Sequence, residues 1–428
     1  PRLTPTGKQA DLFLQFYSGT DVALFNCMMQ LILKNGWENK DFIKNRTKDF
    51  EKVKEVVMKD TYSPENVAKI TGVPAKDIIT AAEWFGKSGQ SAILYSMGIT
   101  QHTTGVDNVK STANIQMLTG NLGRPGTGIC ALRGQNNVQG ACDMGALPNV
   151  YPGYQQVNNE EAAKKFEAAW GTTLSRKPGL TIMDMFDGAL AGTTKAMIIL
   201  GENPMVSDPD LRHVAEALNA LDFLLVIDIF LTETAYFADV VLPASAFPEK
   251  TGTFTNTERR VQMVHQAIDP LGQARPDWQI ISQMAQHILA RTAEVLPAEA
   301  PFATWEYSDT DAIMSEINAL APSYGGITHS RLEKGQRLQW PCPTPDHPGT
   351  PILHTTQFAR GLGKFAPIDH IPPAETPDDA YPFVMSTGRV LYHWHGGQMT
   401  RRARGLMAVY DSPVVEINPE DASVLGLP

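Results

Sequence analysis

KAMIILGENPMVSDPDLRHVAEALNALDFLLVIDIF, Lys195–Phe230, is the stretch that decides the fold. A strand-length apolar run ends in the turn Gly201-Glu202-Asn203-Pro204. Asp208-Pro209 reads as the cap of a helix that runs to about Leu218. Asp222–Phe230 is a second strand, ending in Asp228 and the turn Leu231-Thr232-Glu233-Thr234. ADVVLPAS, Ala238–Ser245, is a third. Strands that alternate with helices predict a parallel, doubly wound sheet.

The same layout occurs upstream. SAILYSMG, Ser91–Gly98, is a buried-strand run; a polar turn, Ile99–Gly105, follows, and then a helical segment, Val109–Leu118. Open α/β sheets bind ligands at such strand carboxyl ends. Asp228 there is suited to the N–H groups of a guanine or the hydroxyls of a ribose, and equally to a turn cap. His102 is a lone loop histidine to which the sequence gives no role. Nearer the start, Val22, Phe25, Met28, Met29 and Ile32 follow helical spacing over Val22–Lys34, with Asp21 as N-cap and Asn35-Gly36 as stop. Gly19-Thr20-Asp21 is an anion seat or a plain cap. Ser63-Pro64-Glu65 and Pro74–Lys87 mark two further helices.

Between the two strand groups lies LRGQNNVQGACDMGALPNVYPGY, Leu132–Tyr154. It has no helical or strand period and reads as an ordered loop. One cation, Arg133, stands beside Gly134, Gln135, Asn136, Asn137 and Gln139. Buried amides need polar partners, because an unpaired one costs about 1–3 kcal/mol. A flat, heteroatom-rich cofactor supplies such partners, and Arg133 supplies charge for a small anion. Taken alone, a run of Gly, Asn and Gln favours a solvated surface loop.

TFTNTERRVQ, Thr253–Gln262, carries tandem arginines, a salt-bridged loop or a brace behind the site. Pro270–Ala290 contains Asp277-Trp278 and a helix. Arg291–Pro377 is proline-rich with weak periodicity and reads as a long connection over the surface. YPFVMSTGRVLYHWHGGQMTRR, Tyr381–Arg402, predicts a strand ending in Ser386-Thr387-Gly388-Arg389. His393 and His395 share a strand face, but no third or fourth metal ligand accompanies them.

Bulk properties bound the class. The 428 residues suffice for two or three domains, and 43% hydrophobic with 19% charged residues is globular. A formal charge of −10 argues against a nucleic-acid or anionic-membrane surface. No apolar run reaches the roughly 20 residues of a membrane span. Cys27, Cys130, Cys142 and Cys342 show neither disulfide nor zinc spacing, as in a reducing compartment. Both ends look cut, so a longer polypeptide is expected.

MGITQH, LRGQNNVQGACDMGALPNVYPGY, ILGENP, IDIFLTETAYFADVVLP, NTERRVQ and STGRVLYHWHGGQMTRR, in that order, resemble the molybdenum- or tungsten-dependent formate dehydrogenases of the molybdopterin oxidoreductase superfamily. The likeness covers nearly the whole chain. It implies an α/β fold: two doubly wound parallel-sheet domains, residues 1–135 and 136–290, around a shared cofactor cleft. A connecting segment, 291–377, and the start of a C-terminal β-barrel domain, 378–428, would follow.

The resemblance further implies a molybdenum or tungsten held by two molybdopterin guanine dinucleotides, with a 4Fe-4S cluster nearby. The family's cysteine or selenocysteine ligand precedes a histidine, and no cysteine here does. Both that pair and the cluster cysteines are expected upstream. Arg133 stands where the family's arginine orients formate. Positions implied in cofactor contact are Gly19, Thr20, Asp21, Met97, Gly98, Gln101, Gln135, Gly201, Glu202, Asn203, Asp228, Thr232, Asp277, Thr387, Arg389, Leu391, His393 and His395. The implied reaction is reversible two-electron oxidation of formate to carbon dioxide, with iron–sulfur or NAD-linked subunits as electron partners. A cytoplasmic location is expected, although an export signal would lie upstream. Rival readings are another member such as a nitrate reductase, and a non-catalytic scaffold like the large subunit of complex I.

Overall fold

The computed structural model describes residues 2–292, 297 and 299–427. Its strands in chain order are β1 (Thr47–Lys48), β2 (Ala92–Tyr95), β3 (Gly128–Ala131), β4 (Val150–Tyr151), β5 (Gln155–Gln156) and β6 (Ala196–Leu200). They continue with β7 (Phe223–Asp228), β8 (Val240–Pro243), β9 (Gly252–Thr255), β10 (Arg260–Val264), β11 (Leu338–Gln339) and β12 (Gly363–Lys364).

The stretch Lys195–Phe230 forms β6, the helix Leu211–Asn219, and β7. β6, β7 and β8 make a parallel sheet in that order, with Ala196 opposite Phe223 and Asp228 opposite Pro243. β7 is central, and Leu224, Leu225, Val226 and Ile227 are all buried. Successive side chains point to opposite faces. Leu224 and Val226 pack on Val214, Ala217 and Leu218 of the crossover helix and on Phe186 and Ala189 of the helix Ile182–Leu190. Leu225 and Ile227 pack on Ile280 of the helix Asp277–Thr292. Helices therefore cover both faces, which is why β7 reads as an unbroken apolar run. The helix cap differs from the expectation: Asp210, not Asp208, accepts from the His213 N–H at 3.2 Å.

β2 and β3 form a second, two-stranded parallel sheet, joined through the helix Gly105–Thr119. Beneath it the helix Asp21–Lys34 is buried almost all round, from Val22 to Ile32, among Val53, Val57, Tyr62, Val67, Ile78, Ala82 and Ile115. A helix buried on every side lies inside a core, and its polar Asn26 and Gln30 are satisfied by the carbonyls of Ile368 and Val57. Asp21 opens this helix as its first residue and does not cap it; Thr20 precedes it and makes no side-chain cap. The predicted helices at Pro64 and after Pro74 are present as Pro64–Thr71 and Ala75–Lys87.

Three expectations are corrected. Leu132–Tyr154 is not irregular throughout: it holds the helix Val138–Asp143 and β4. That helix is fastened by side-chain hydrogen bonds, so it leaves no apolar period. Arg291–Pro377 is more than a surface connection. It contains the helix Thr310–Leu320 and β11, which pairs with β10. Phe365 closes the first core at 0% exposure. Asn26 and Asn114 grip the backbone of Ile368 and Ala366, and such polar anchoring has no sequence period. Finally, among the described residues, Tyr381–Leu427 contains no strand. Val384, Met385 and Leu391 lie exposed without a neighbouring ladder, which a strand needs to satisfy its backbone groups.

Candidate active site

β2 and β3 run parallel, so their carboxyl ends lie side by side. The Leu132 N–H donates to Tyr95 O at 2.7 Å, and the Ser96 hydroxyl donates to Leu132 O at 2.9 Å. The Met97-Gly98 turn and Arg133 are thus neighbours at one sheet end. Met97, Gly98, Gln101, Arg133 and Gln135 are all exposed there, and no atom would obstruct a Cβ added at Gly98. His102 bonds Gly98 O through Nε2 at 3.0 Å and lies close enough to Asp21 to stabilise its charge. Burial nevertheless raises the Asp21 carboxyl above its ordinary value, despite its own backbone N–H.

The Arg133 guanidinium makes no hydrogen bond or ion pair among the described residues, although its charge reaches Tyr95. Its backbone is held. The Arg133 N–H donates to Thr257 Oγ1 at 3.1 Å. Next to it, a Cβ on Gly134 would stand 2.5 Å from His395 Cε1. Only a glycine admits the His395 ring this closely. Burial, then the charge of Arg389, holds the His395 imidazole below its usual value, while the Gly134 backbone works the other way.

The loop rests on a buried polar network. Asp143, at 0% exposure, accepts from Tyr324 OH at 2.5 Å and Gln139 Nε2 at 2.8 Å. Gln139 also donates to Tyr154 OH at 2.9 Å, and Tyr324 OH lies 3.0 Å from Thr255 Oγ1. Burial raises both phenols, and the nearby Asp143 charge raises them further. The loop's amides are therefore satisfied in part from below. Asn137 Oδ1 accepts from the Thr255 N–H at 2.8 Å.

A second group of polar residues gathers at the carboxyl end of β7. Asp228 Oδ1 accepts from the Phe230 N–H at 3.0 Å. Burial raises its carboxyl, the Phe230 and Ile229 amides and Arg402 lower it, and Asp277 raises it again. Asp277 pairs with Lys250. The Arg402 guanidinium lies 4.6 Å from the centre of the Phe230 ring. His395 and Arg402 belong to one segment, so Gly396–Arg401 joins the Arg133 loop to the Asp228 turn.

Several expected positions are otherwise engaged. A Cβ at Gly19 would strike Pro373, and the Thr20 hydroxyl donates to Tyr17 O at 2.7 Å. Asn203 is buried; its side chain donates to Glu233 and accepts from Thr234 at 2.7 Å each, tying the β6 turn to the β7 turn. Glu202 accepts from Ser207, and Thr232 receives the Ala235 N–H. Both His393 nitrogens are used, on Thr400 and on Tyr410 O, so His393 holds its own loop together. It does not pair with His395. Thr387, Arg389 and Leu391 are exposed; the Arg389 carbonyl accepts from Arg2 at 3.0 Å, and the Arg389 charge acts on His395. Gly201 is open, at φ +62°. Arg259 braces the hairpin by donating to Thr350 O and Pro351 O. Thr257, Asp143 and Arg402 are the residues the sequence did not single out; only NTERRVQ as a motif hinted at Thr257. Among the described residues, no cluster of three or more His, Cys, Asp or Glu is arranged to hold a metal ion.

Comparison with known proteins gives a consistent grouping. Residues 1–287 match the family described as molybdopterin oxidoreductase, and residues 383–428 the molydopterin dinucleotide binding domain. The chain is 49% identical, over its full length, to the F420-dependent formate dehydrogenase subunit alpha of Methanocaldococcus jannaschii, of which it covers 61%. It is 38% identical to formate dehydrogenase H of Escherichia coli, covering 58% of that protein. The chain thus spans about three-fifths of the curated relatives it matches. Acetylene hydratase from Pelobacter acetylenicus superposes with a TM-score of 0.70 at 20% identity, across all of this chain and 61% of that one.

Proposed function

The chain belongs to the molybdopterin oxidoreductase family, and we propose that it is part of the catalytic subunit of a formate dehydrogenase. The observation that carries the substrate is the Arg133 guanidinium, unpaired among the described residues, at the joined ends of β2 and β3. A carboxylate is the anion its planar fork fits, through two parallel N–H···O bonds. Formate held so presents its single C–H away from the guanidinium, in one orientation.

The residues fit a molybdopterin guanine dinucleotide pair at two places. Gly98 leaves its turn open to close approach beside the exposed Met97, Gln101 and Gln135, and Gly201 leaves the turn after β6 open. Asp228, half-buried near Arg402, is the carboxylate that would accept from a guanine. Asn203, Thr232, His393 and Thr20 would support these turns from behind, with their backbones as the remaining contact points. The metal–pterin group, molybdenum or tungsten, supplies the two-electron chemistry when bound. The protein's part is to hold the carboxylate, keep the loop rigid through Asp143 and Tyr324, and cover the site with the His395 segment.

In this reading residues 1–135 and 136–290 are the two doubly wound domains lining one cleft, 291–377 connects them to the rest, and 378–428 is part of a dinucleotide-binding domain. A 4Fe-4S cluster and electron-transfer subunits would take the electrons. No helix among the described residues is long and apolar enough to cross a membrane. The four cysteines are free, and a cytoplasmic location is part of the proposal.

The test uses the full-length protein. Formate oxidation with molybdenum or tungsten present, and no nitrate reduction, is the expected result. Nitrate turnover would favour another branch of the family, and finding neither molybdenum nor tungsten would favour a scaffold role.

A further inference from the structure

We propose that Thr257 is the positioning residue for Arg133, setting the aim of the guanidinium; the proposal rests on the reading that Arg133 holds the substrate carboxylate. The two residues are 124 positions apart, yet the Arg133 N–H donates to Thr257 Oγ1 at 3.1 Å. This bond comes at a decisive place. The chain leaves the β2–β3 ladder at Leu132, whose N–H still reaches Tyr95 O. One residue later it has no sheet partner, and the Arg133 side chain itself makes no hydrogen bond or ion pair among the described residues. Without a clamp on its backbone, a long side chain here would sweep a wide volume and bind its anion in many orientations.

The clamp is itself fixed. Asn256 Oδ1 accepts from the Glu258 N–H at 3.1 Å and the Arg260 N–H at 3.0 Å, closing the turn between β9 and β10. Arg259 ties that turn to the Thr350 and Pro351 carbonyls. Thr255 and Tyr324 fasten the adjoining strand to Asn137 and Asp143 of the same loop. Thr257 is β-branched, so its hydroxyl points in few directions. The hairpin therefore acts as a jig, and it holds the cation's own backbone through the Thr257 hydroxyl.

Arg133 is exposed, so water can replace the lost acceptor and the fold should survive the change. The experiment compares Thr257→Val and Thr257→Ser in the full-length subunit with its partners, reading formate kinetics, metal and pterin content, and hydrogen exchange of the segment around Arg133. Val should lower kcat/KM roughly tenfold and speed exchange at the Arg133 amide at least fivefold, at unchanged metal and pterin content. Ser should restore both to within about twofold. Unchanged exchange in Val, or faster exchange with unchanged formate kinetics, overturns the proposal, as does equal loss in Ser and Val. If the wild-type enzyme oxidises no formate, the functional reading fails, and the exchange data alone still decide whether Thr257 holds Arg133.

Discussion

Replacing Tyr324 by Phe removes one oxygen from the network under the Arg133 loop. That oxygen donates to Asp143 at 2.5 Å and touches Thr255 Oγ1 at 3.0 Å. Tyr324 is 3% exposed and Asp143 0%, so water cannot replace the bond. A hydrogen bond to a charged acceptor contributes about 1.5–3 kcal/mol, and leaving the acceptor short of a buried partner lies in the same range. Gln139 still donates to Asp143 at 2.8 Å, which keeps the loss near the lower end. The expected destabilisation is about 2 kcal/mol, roughly a 30-fold shift in the unfolding equilibrium. Tyr151→Phe is the internal control, because its hydroxyl makes only a 3.4 Å contact with Ser175 O; the expected change is below about 0.5 kcal/mol. Urea unfolding of both variants, with hydrogen exchange across 138–156, supplies the comparison. If Tyr324→Phe unfolds no more readily than Tyr151→Phe, the network does not carry the loop.

Three further outcomes follow from the same physics. The Arg176 guanidinium, then the Leu174 N–H, holds the Glu167 carboxyl down to about 2, so its contribution is complete above the unfolded value of roughly 4.3 and fades as pH falls toward 2; the gap in urea midpoint between wild type and Arg176→Met should be flat from pH 7 to 5 and shrink below, and a gap constant down to pH 2 would contradict this. Burial raises Asp228, which means that its charge costs stability above its folded value; Asp228→Asn should leave the apo chain as stable or more so at pH 7 while pterin nucleotide content falls to less than half, and full retention of the nucleotide would remove Asp228 from guanine recognition. Gly134→Ala places a Cβ 2.5 Å from the His395 ring, so residues 378–428 should become markedly more sensitive to protease, and unchanged cleavage would show that the contact is not a fastening.

The parts of the fold that were legible rest on apolar patterning. β7 announces itself because helices bury both its faces, and helix Asp21–Lys34 because it lies inside a core. Elements held by polar side chains left no such period. The helix Val138–Asp143 is fixed by Gln139, Asp143 and Tyr324, and Phe365 reaches the first core through asparagine grips on the backbone around it. The predicted strand at Tyr381 had the right composition, yet a strand is a pairing as well as a pattern, and no partner lies beside it among the described residues. For the site, the turns at Gly98, Gly201 and Asp228 stood out because each follows an apolar run, whereas β3, which leads into Arg133, left no such run, and Arg133 was singled out by the family resemblance. Thr257 and Arg402 could not, because their importance comes from contacts across the fold. Asn203 and His393 showed the converse: polar residues expected at the cofactor whose side chains are used internally.

The most direct measurement is formate kinetics of Arg133→Lys in the complete, metal-loaded enzyme, with pterin and metal quantified in parallel. Lysine keeps the charge and loses the planar fork, so kcat/KM should fall by roughly 30- to 150-fold, about 2–3 kcal/mol, at unchanged cofactor content. Near-normal formate turnover by the lysine variant would contradict the account.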